Sequence, residues 1–231
     1  MPEPKAVIFD LDDTLYSRHR FVHSGFRAVA DHLERSRGIN RREALAVLGR
    51  ASRSGSRREL QACAEHFSLS PAVVPELVQV IREHTPALRL PRSSRLALEA
   101  LRGDWRLAIV TNGPADQQAR KVEALGLQSF VNCVVYADER GSGRAKPKRE
   151  PFLTAARQLG VAVSRAIFVG DDSVCDIFGA ARVGMKTIHV TRYLRAYAPA
   201  SNADATVTTL ADVPAIAGCL TAQNRWSSHV A

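Results

Sequence analysis

Lysine is scarce in this sequence of 231 residues. Only Lys5, Lys121, Lys146, Lys148 and Lys186 carry an ammonium, and the other 27 of the 32 basic side chains are arginine. Against 23 acidic residues this leaves a formal net charge of +9. Aromatic residues are thin as well, at 6%, and they do not interleave with the arginines, which are dispersed along the chain. The stacking platforms of a nucleic-acid groove are therefore missing, although the charge alone would suit one. Cysteine is limited to Cys63, Cys133, Cys175 and Cys219, with no C-x-x-C pair and no nearby histidine pattern. That argues against a disulfide framework or a zinc site and leaves reduced thiols as the expectation. Long apolar runs are lacking too. The most apolar stretches, K-A-V-I-F-D and R-L-A-I-V-T, fall far short of the ~20 residues of a membrane helix. A first strand starting at residue 5 leaves no room for a secretory signal, so a cytoplasmic location is the expectation.

What is present is an ordinary globular composition, 45% hydrophobic and 24% charged, enough for one large core and a smaller lobe. Five short apolar runs read as buried strands: residues 5–10, 106–111, 132–137, 165–170 and 186–191. Helical patterns lie between them. Pro114 opens one that stops at Gly126, Pro151 sits near the start of one that stops at Gly160, and another runs through I-F-G-A-A-R to Gly184. Near-continuous apolar strands alternating with helices imply an α/β fold, a doubly wound parallel sheet of the Rossmann-like kind covered on both faces.

Residues 17–87 read differently. They show no strand-like run, whereas Phe26, Val29, Ala30 and Leu33 recur at helical spacing before Gly38. Asn40 with Glu43, and Ser56 with Glu59, have the spacing of a capping box. Ser70-Pro71 opens a further helix that carries Pro75 in its first turns. The expected organisation is a Rossmann-like core of residues 1–16 and 88–222, an inserted helical cap of residues 17–87, and a flexible tail over residues 223–231.

Ligands of open α/β sheets bind beyond the carboxyl ends of the strands. The first strand ends in Asp10, Asp12 and Asp13, the second in Thr111, Asn112 and Gly113, the fourth in Gly170, Asp171 and Asp172. Lys146 precedes a helix in A-K-P-K-R-E-P-F. Taken singly, an acidic cluster is a helix cap, a threonine a strand-end cap and a lysine a solvated charge. Two acidic clusters ending strands that can be neighbours in the sheet instead call for a cation, and hard carboxylate oxygens suit Mg2+, which also binds substrate phosphate. Thr111 and the amides of the Asn112-Gly113 turn then become donors to a phosphate oxygen, and Lys146 becomes its counter-charge.

These residues resemble the haloacid dehalogenase-like hydrolases, in the branch with a helical cap inserted after the first motif. The resemblance runs from Lys5 to about Gly218. Its motifs stand in order as Asp10-Leu11-Asp12-Asp13-Thr14, the strand L-A-I-V-T-N with Thr111, Lys146 in K-P-K-R-E-P-F, and Gly170-Asp171-Asp172-Ser173-Val174-Cys175-Asp176. The resemblance implies that Asp10 is the nucleophile that forms an aspartyl-phosphate, and that Asp12 protonates the leaving oxygen and then activates water. It implies Thr111, Asn112 and Lys146 at the phosphate. Mg2+ would be held by Asp10, the Asp12 carbonyl and Asp171, with Asp172 and Asp176 around them. Asp172 stands where many relatives have Ser, and Asp13, often Gly in relatives, reads as a loop residue. Lys148-Arg149 replaces a common Asp-Pro and adds positive charge. Cys175 reads as a packed thiol.

The resemblance also sorts reactions. Relatives that displace halide from carbon lack an aspartate at the position of Asp12, because no leaving oxygen needs a proton. Its presence points to a phosphatase acting on a small phosphate monoester of nucleotide, sugar-phosphate or flavin mononucleotide type. A sugar-phosphate mutase shares all four motifs and is the rival within the fold. A receiver-type phosphoacceptor is about half this length and lacks the insertion, and a nucleic-acid-binding module leaves the acidic motifs unexplained. Neither nucleic acid nor membrane is expected as a partner, and the sequence does not specify the oligomeric state.

Overall fold

A computed structural model of the chain describes residues 5–55, 58–137, 143–193 and 202–227. In chain order the elements are β1 (Ala6–Phe9), α1 (Arg18–Arg37), α2 (Arg41–Arg53), α3 (Glu59–His66), α4 (Val73–Glu83), α5 (Arg92–Leu101), β2 (Arg106–Thr111), α6 (Ala115–Ala124), β3 (Cys133–Tyr136), α7 (Arg149–Leu159), β4 (Ala166–Gly170), α8 (Gly179–Ala181), β5 (Lys186–Val190), β6 (Ala205–Val207) and α9 (Val213–Ser227). They fall into two compact units, Met1–Arg18 with Arg89–Ala231, and His19–Leu88.

The first unit is built on one six-stranded sheet in the order β3-β2-β1-β4-β5-β6, with every pairing parallel. All four residues of β1 are fully buried. A central parallel strand meets side chains on both faces, which is why A-V-I-F carries no polar alternation. One face presents Ala6, Ile8, Ala108, Val110 and Phe168 to Phe152, Ala155 and Leu159 of α7 and Ala180 of α8. Each such fully buried large side chain contributes about 1.5–3 kcal/mol by leaving water. The helix boundaries follow the local signals: Pro114 precedes α6, and Gly126, Gly160 and Gly184 take positive φ after their helices.

The sequence does not announce β6, whose three residues are too few to show a pattern. Asp204 secures it from just outside, its carboxylate accepting from Lys186 Nζ at 2.8 Å, Thr187 N at 2.8 Å and Thr187 Oγ1 at 3.1 Å. The tail expected from residue 223 starts inside α9, which runs to Ser227.

The second unit has its own core, in which Phe26, Val29, Ala30 and Leu33 of α1 meet Ala44, Val47, Leu48, Cys63, Val73 and Leu77. Gly38 ends α1 with φ 66°. Asn40 caps α2 by accepting from Arg42 N and Glu43 N, while the Glu43 carboxylate turns to His66 and does not close a capping box. Ser56, the expected cap of α3, lies outside the described residues. Among the described residues the four cysteines are free, and no helix is long and apolar enough to cross a membrane.

Candidate active site

The parallel order makes β1 the neighbour of both β2 and β4. Asp10, one residue past β1, therefore sits between Thr111, the last residue of β2, and Asp171, the first residue past β4. Lys146 completes the arrangement from the segment ahead of α7. Its ammonium is buried and has three N–H donors for three acceptors. They reach Asp10 Oδ1 at 2.5 Å, Asp176 Oδ1 at 2.7 Å and the Val110 carbonyl at 3.0 Å. Asn112 holds the Lys146 backbone from both sides, accepting from its N–H at 2.9 Å and donating to its carbonyl at 3.1 Å. The Asn112 side chain thus shapes the lysine loop, and the Lys146-Pro147 peptide within that loop is cis.

Asp176 reaches this centre because the helix after β4 starts with a wide turn. Residues Ser173–Phe178 are π-helical, and the Asp172 carbonyl accepts from both Asp176 N at 3.0 Å and Ile177 N at 3.1 Å. The Asp172 carboxylate caps that turn through Val174 N and Cys175 N, and its backbone N–H donates to Asp176 Oδ2 at 3.1 Å. Its side chain is a helix cap, which gives a job to the acid that stands where many relatives have Ser. Cys175 is half-buried, and burial first, then Asp172 and Asp176, push its thiol up to about 11.

Ligand oxygens of Asp10, Asp171 and Asp176 all lie within 4.8 Å of one another. Burial drives the Asp10 carboxyl well above its usual range, opposed by Lys146. The Asp171 carboxyl is pushed up to about 7 by burial and by Asp176, opposed by a hydrogen bond from Thr14 Oγ1 at 3.0 Å. Lys146 is itself held above the usual lysine range, burial being outweighed by Asp10 and Asp176. One fixed ammonium among three close carboxylates leaves negative charge to spare, and oxygen donors of this kind fit a hard divalent cation such as Mg2+.

Asp12 belongs to a different environment. Its carboxylate takes Lys121 Nζ on Oδ1 at 2.9 Å and on Oδ2 at 2.7 Å, the Tyr16 hydroxyl on Oδ1 at 2.6 Å, and Gln118 Nε2 on Oδ2 at 3.0 Å. Burial would raise this carboxyl, but the Lys121 charge and the hydrogen bonds from Lys121, Tyr16 and Gln118 hold it below its ordinary value. Burial also draws the Lys121 ammonium down, against the pull of Asp12. Gln118 Nε2 donates in addition to Thr111 Oγ1 at 2.5 Å, which leaves the threonine's own proton for another acceptor. Asp13, with φ 59°, accepts from Arg18 N at 2.8 Å and belongs to the turn into α1. Thr14 stood in the first motif without a role, and Tyr16, Gln118 and Lys121 are site residues that sequence reasoning did not single out. The signal available for the last two was their spacing of three on α6, which puts them on one face.

Residues 4–184 match the family model described as haloacid dehalogenase-like hydrolase. The chain belongs to the haloacid dehalogenase-like hydrolases. Among curated relatives, a glyceraldehyde 3-phosphate phosphatase of Methanopyrus kandleri is 31% identical, covering 81% of this chain and 84% of that one. An enzyme of the same name from Methanocaldococcus jannaschii is 28% identical, over 81% and 85%. A crystal structure of a 2-haloacid dehalogenase from Pseudomonas syringae superposes with a TM-score of 0.65 at 26% identity, covering 94% of this chain and 99% of that one. With such relatives the chain stands as a phosphatase of the haloacid dehalogenase-like family.

Proposed function

We propose that this phosphatase hydrolyses a small-molecule phosphate monoester through an aspartyl-phosphate on Asp10, with Mg2+ as its metal. One observation carries the reading: two carboxylates two residues apart sit in opposite environments. Asp10 faces Lys146 and the acidic cluster, whereas Asp12 is wrapped by Lys121, Tyr16 and Gln118. The donors around Asp12 hold it as a carboxylate, the form that takes a proton from water, while Asp10 lies beside Lys146 in the acidic cluster. Displacement of halide from carbon would leave Asp12 without a leaving oxygen to protonate.

The residues then act in turn. Asp12, held ionised in the resting site, first takes up a proton from solvent; an Asp10 carboxylate oxygen then attacks phosphorus as the bond to the leaving oxygen breaks, and Asp12 gives that oxygen its proton. Asp12, now a carboxylate, takes a proton from water as the water oxygen attacks phosphorus. The Asp10–phosphorus bond breaks, releasing inorganic phosphate and restoring Asp10. Thr111 donates its hydroxyl proton to a phosphoryl oxygen, and Lys146 offsets charge beside Asp10. Asp10 and Asp171, with the Asp12 carbonyl and with Asp176 in the same cluster, would hold Mg2+, which when bound supplies charge stabilisation for the transferring phosphoryl group.

The relatives named above point to small phosphorylated metabolites, and nucleotides, sugar phosphates and flavin mononucleotide form the substrate panel with triose phosphates added. The test is phosphate release across that panel and from p-nitrophenyl phosphate, with Mg2+ or with a chelator. Activity should require the metal and vanish in Asp10→Asn. Turnover retained by that variant would overturn the nucleophile.

A further inference from the structure

Resting on the assignment of Asp12 as proton carrier, we propose that Lys121 is a positioning residue for the reaction, clamping both oxygens of the Asp12 carboxylate so that it meets the leaving oxygen in one orientation. Lys121 projects from α6, is almost wholly buried, and bonds Asp12 Oδ1 and Oδ2 at once. Tyr16 adds a second donor to Oδ1 and Gln118 a second donor to Oδ2. Two donors on each oxygen stop the carboxylate from rotating, so that once one donor yields its place to a proton, that proton is taken up and passed on along one line.

A purely structural account of Lys121 is weaker. A buried ion pair is poor evidence for stability, since an apolar pair of similar volume often serves as well or better. What such a pair does supply is a fixed orientation. The same helix face adds a second link, because Gln118 Nε2 contacts both Asp12 and the Thr111 hydroxyl. α6 therefore holds the proton carrier in register with the residue offered to the phosphate. The two buried lysines divide the two key carboxylates, Lys146 taking Asp10 and Lys121 taking Asp12.

Leaving-group chemistry separates this from simple destabilisation. A nitrophenolate departs with little help from an acid, whereas an alkoxide depends on it. The variants are Lys121→Met and Lys121→Arg, with Asp12→Asn as reference, assayed on p-nitrophenyl phosphate and on glycerol phosphate. For Lys121→Met, kcat on the alkyl ester should fall on the order of 100-fold with KM changed little, and the aryl ester should lose only several-fold. Lys121→Arg should recover part of the alkyl-ester rate. Adding Lys121→Met to Asp12→Asn should cost little more than Asp12→Asn alone, because the lysine acts through that carboxylate. Equal losses on both esters, additive losses in the double variant, or wild-type rates in Lys121→Met would overturn the proposal. A fully active Asp12→Asn would instead overturn the proton-carrier reading beneath it. If Lys121→Met does not fold, Tyr16→Phe and Gln118→Ala must show the same leaving-group dependence at smaller size, and its absence in both counts against the clamp.

Discussion

The Asp176 carboxylate rests directly against the backbone of Gly170. A Cβ built on that glycine would lie 2.4 Å from Asp176 Oδ2 and 2.5 Å from its Cβ and Cγ. Gly170 has no unusual φ, so its smallness is what matters here and not its flexibility. Gly170→Ala should drive Asp176 away from Lys146 and from Asp10 and Asp171. Overpacking of this sort costs about 1–3 kcal/mol, and a displaced partner of a metal site weakens metal affinity roughly 10–100-fold. The expected outcome is a lower melting temperature together with a weaker calorimetric Mg2+ affinity and a turnover reduced about 100-fold. Unchanged Mg2+ affinity in a folded variant would show that Asp176 has no influence on the cation.

Lys146 matches its pocket through number as well as charge. Three ammonium donors meet Asp10, Asp176 and the Val110 carbonyl, and the side chain is 2% exposed. Arginine keeps the charge but brings a planar fork with five donors and greater volume, so the exchange is not conservative here. Lys146→Arg should lose about 1–3 kcal/mol of stability from overpacking and on the order of 100-fold in kcat through misplacement of Asp10. Thermal melts and steady-state kinetics check both parts. A variant with near-normal kcat would mean that the charge alone suffices.

The large features of this molecule are readable from its residues, and the smaller ones depend on contacts that only folding makes. A-V-I-F and A-I-F-V-G are apolar throughout because both faces are covered, and this exposed them as buried strands. Once two strands ending in acids are adjacent, Asp10, Asp171 and Lys146 follow from the rule that sites gather at strand ends. β6 has three residues and no periodicity to display. The π-helical start at Ser173 depends on how Asp172 and Asp176 share hydrogen bonds, which has no sequence signature of its own. Gln118 and Lys121 look like any polar pair on an exposed helix face. Only the packing of α6 beside the Asp12 loop makes them interior. The scarcity of lysine was a better clue than the net charge, since Lys121 and Lys146 are two of only five.

Metal removal should make stability depend on pH in the direction that the raised Asp10 and Asp171 carboxyls both set. Burial and Asp176 push the Asp171 carboxyl up to about 7, against about 3.9 for aspartate in an unfolded chain. In the metal-free protein the folded state thus keeps a proton that the unfolded state gives up between about pH 4 and about pH 7. The stabilisation from that proton is complete below the unfolded value and is lost as pH rises through the folded one. Solvent access to the half-buried side chain limits the effect to on the order of 1–3 kcal/mol. A divalent cation prefers the ionised carboxylates and competes with the proton, so its stabilising effect should grow over the same window. Melting temperatures in millimolar Mg2+ and in chelator, compared at about pH 5 and about pH 8, should therefore diverge at the higher pH. Asp171→Ala should reduce that divergence, the Asp10 and Asp176 carboxylates remaining. An increment from Mg2+ that is the same at both pH values would place the cation away from Asp171.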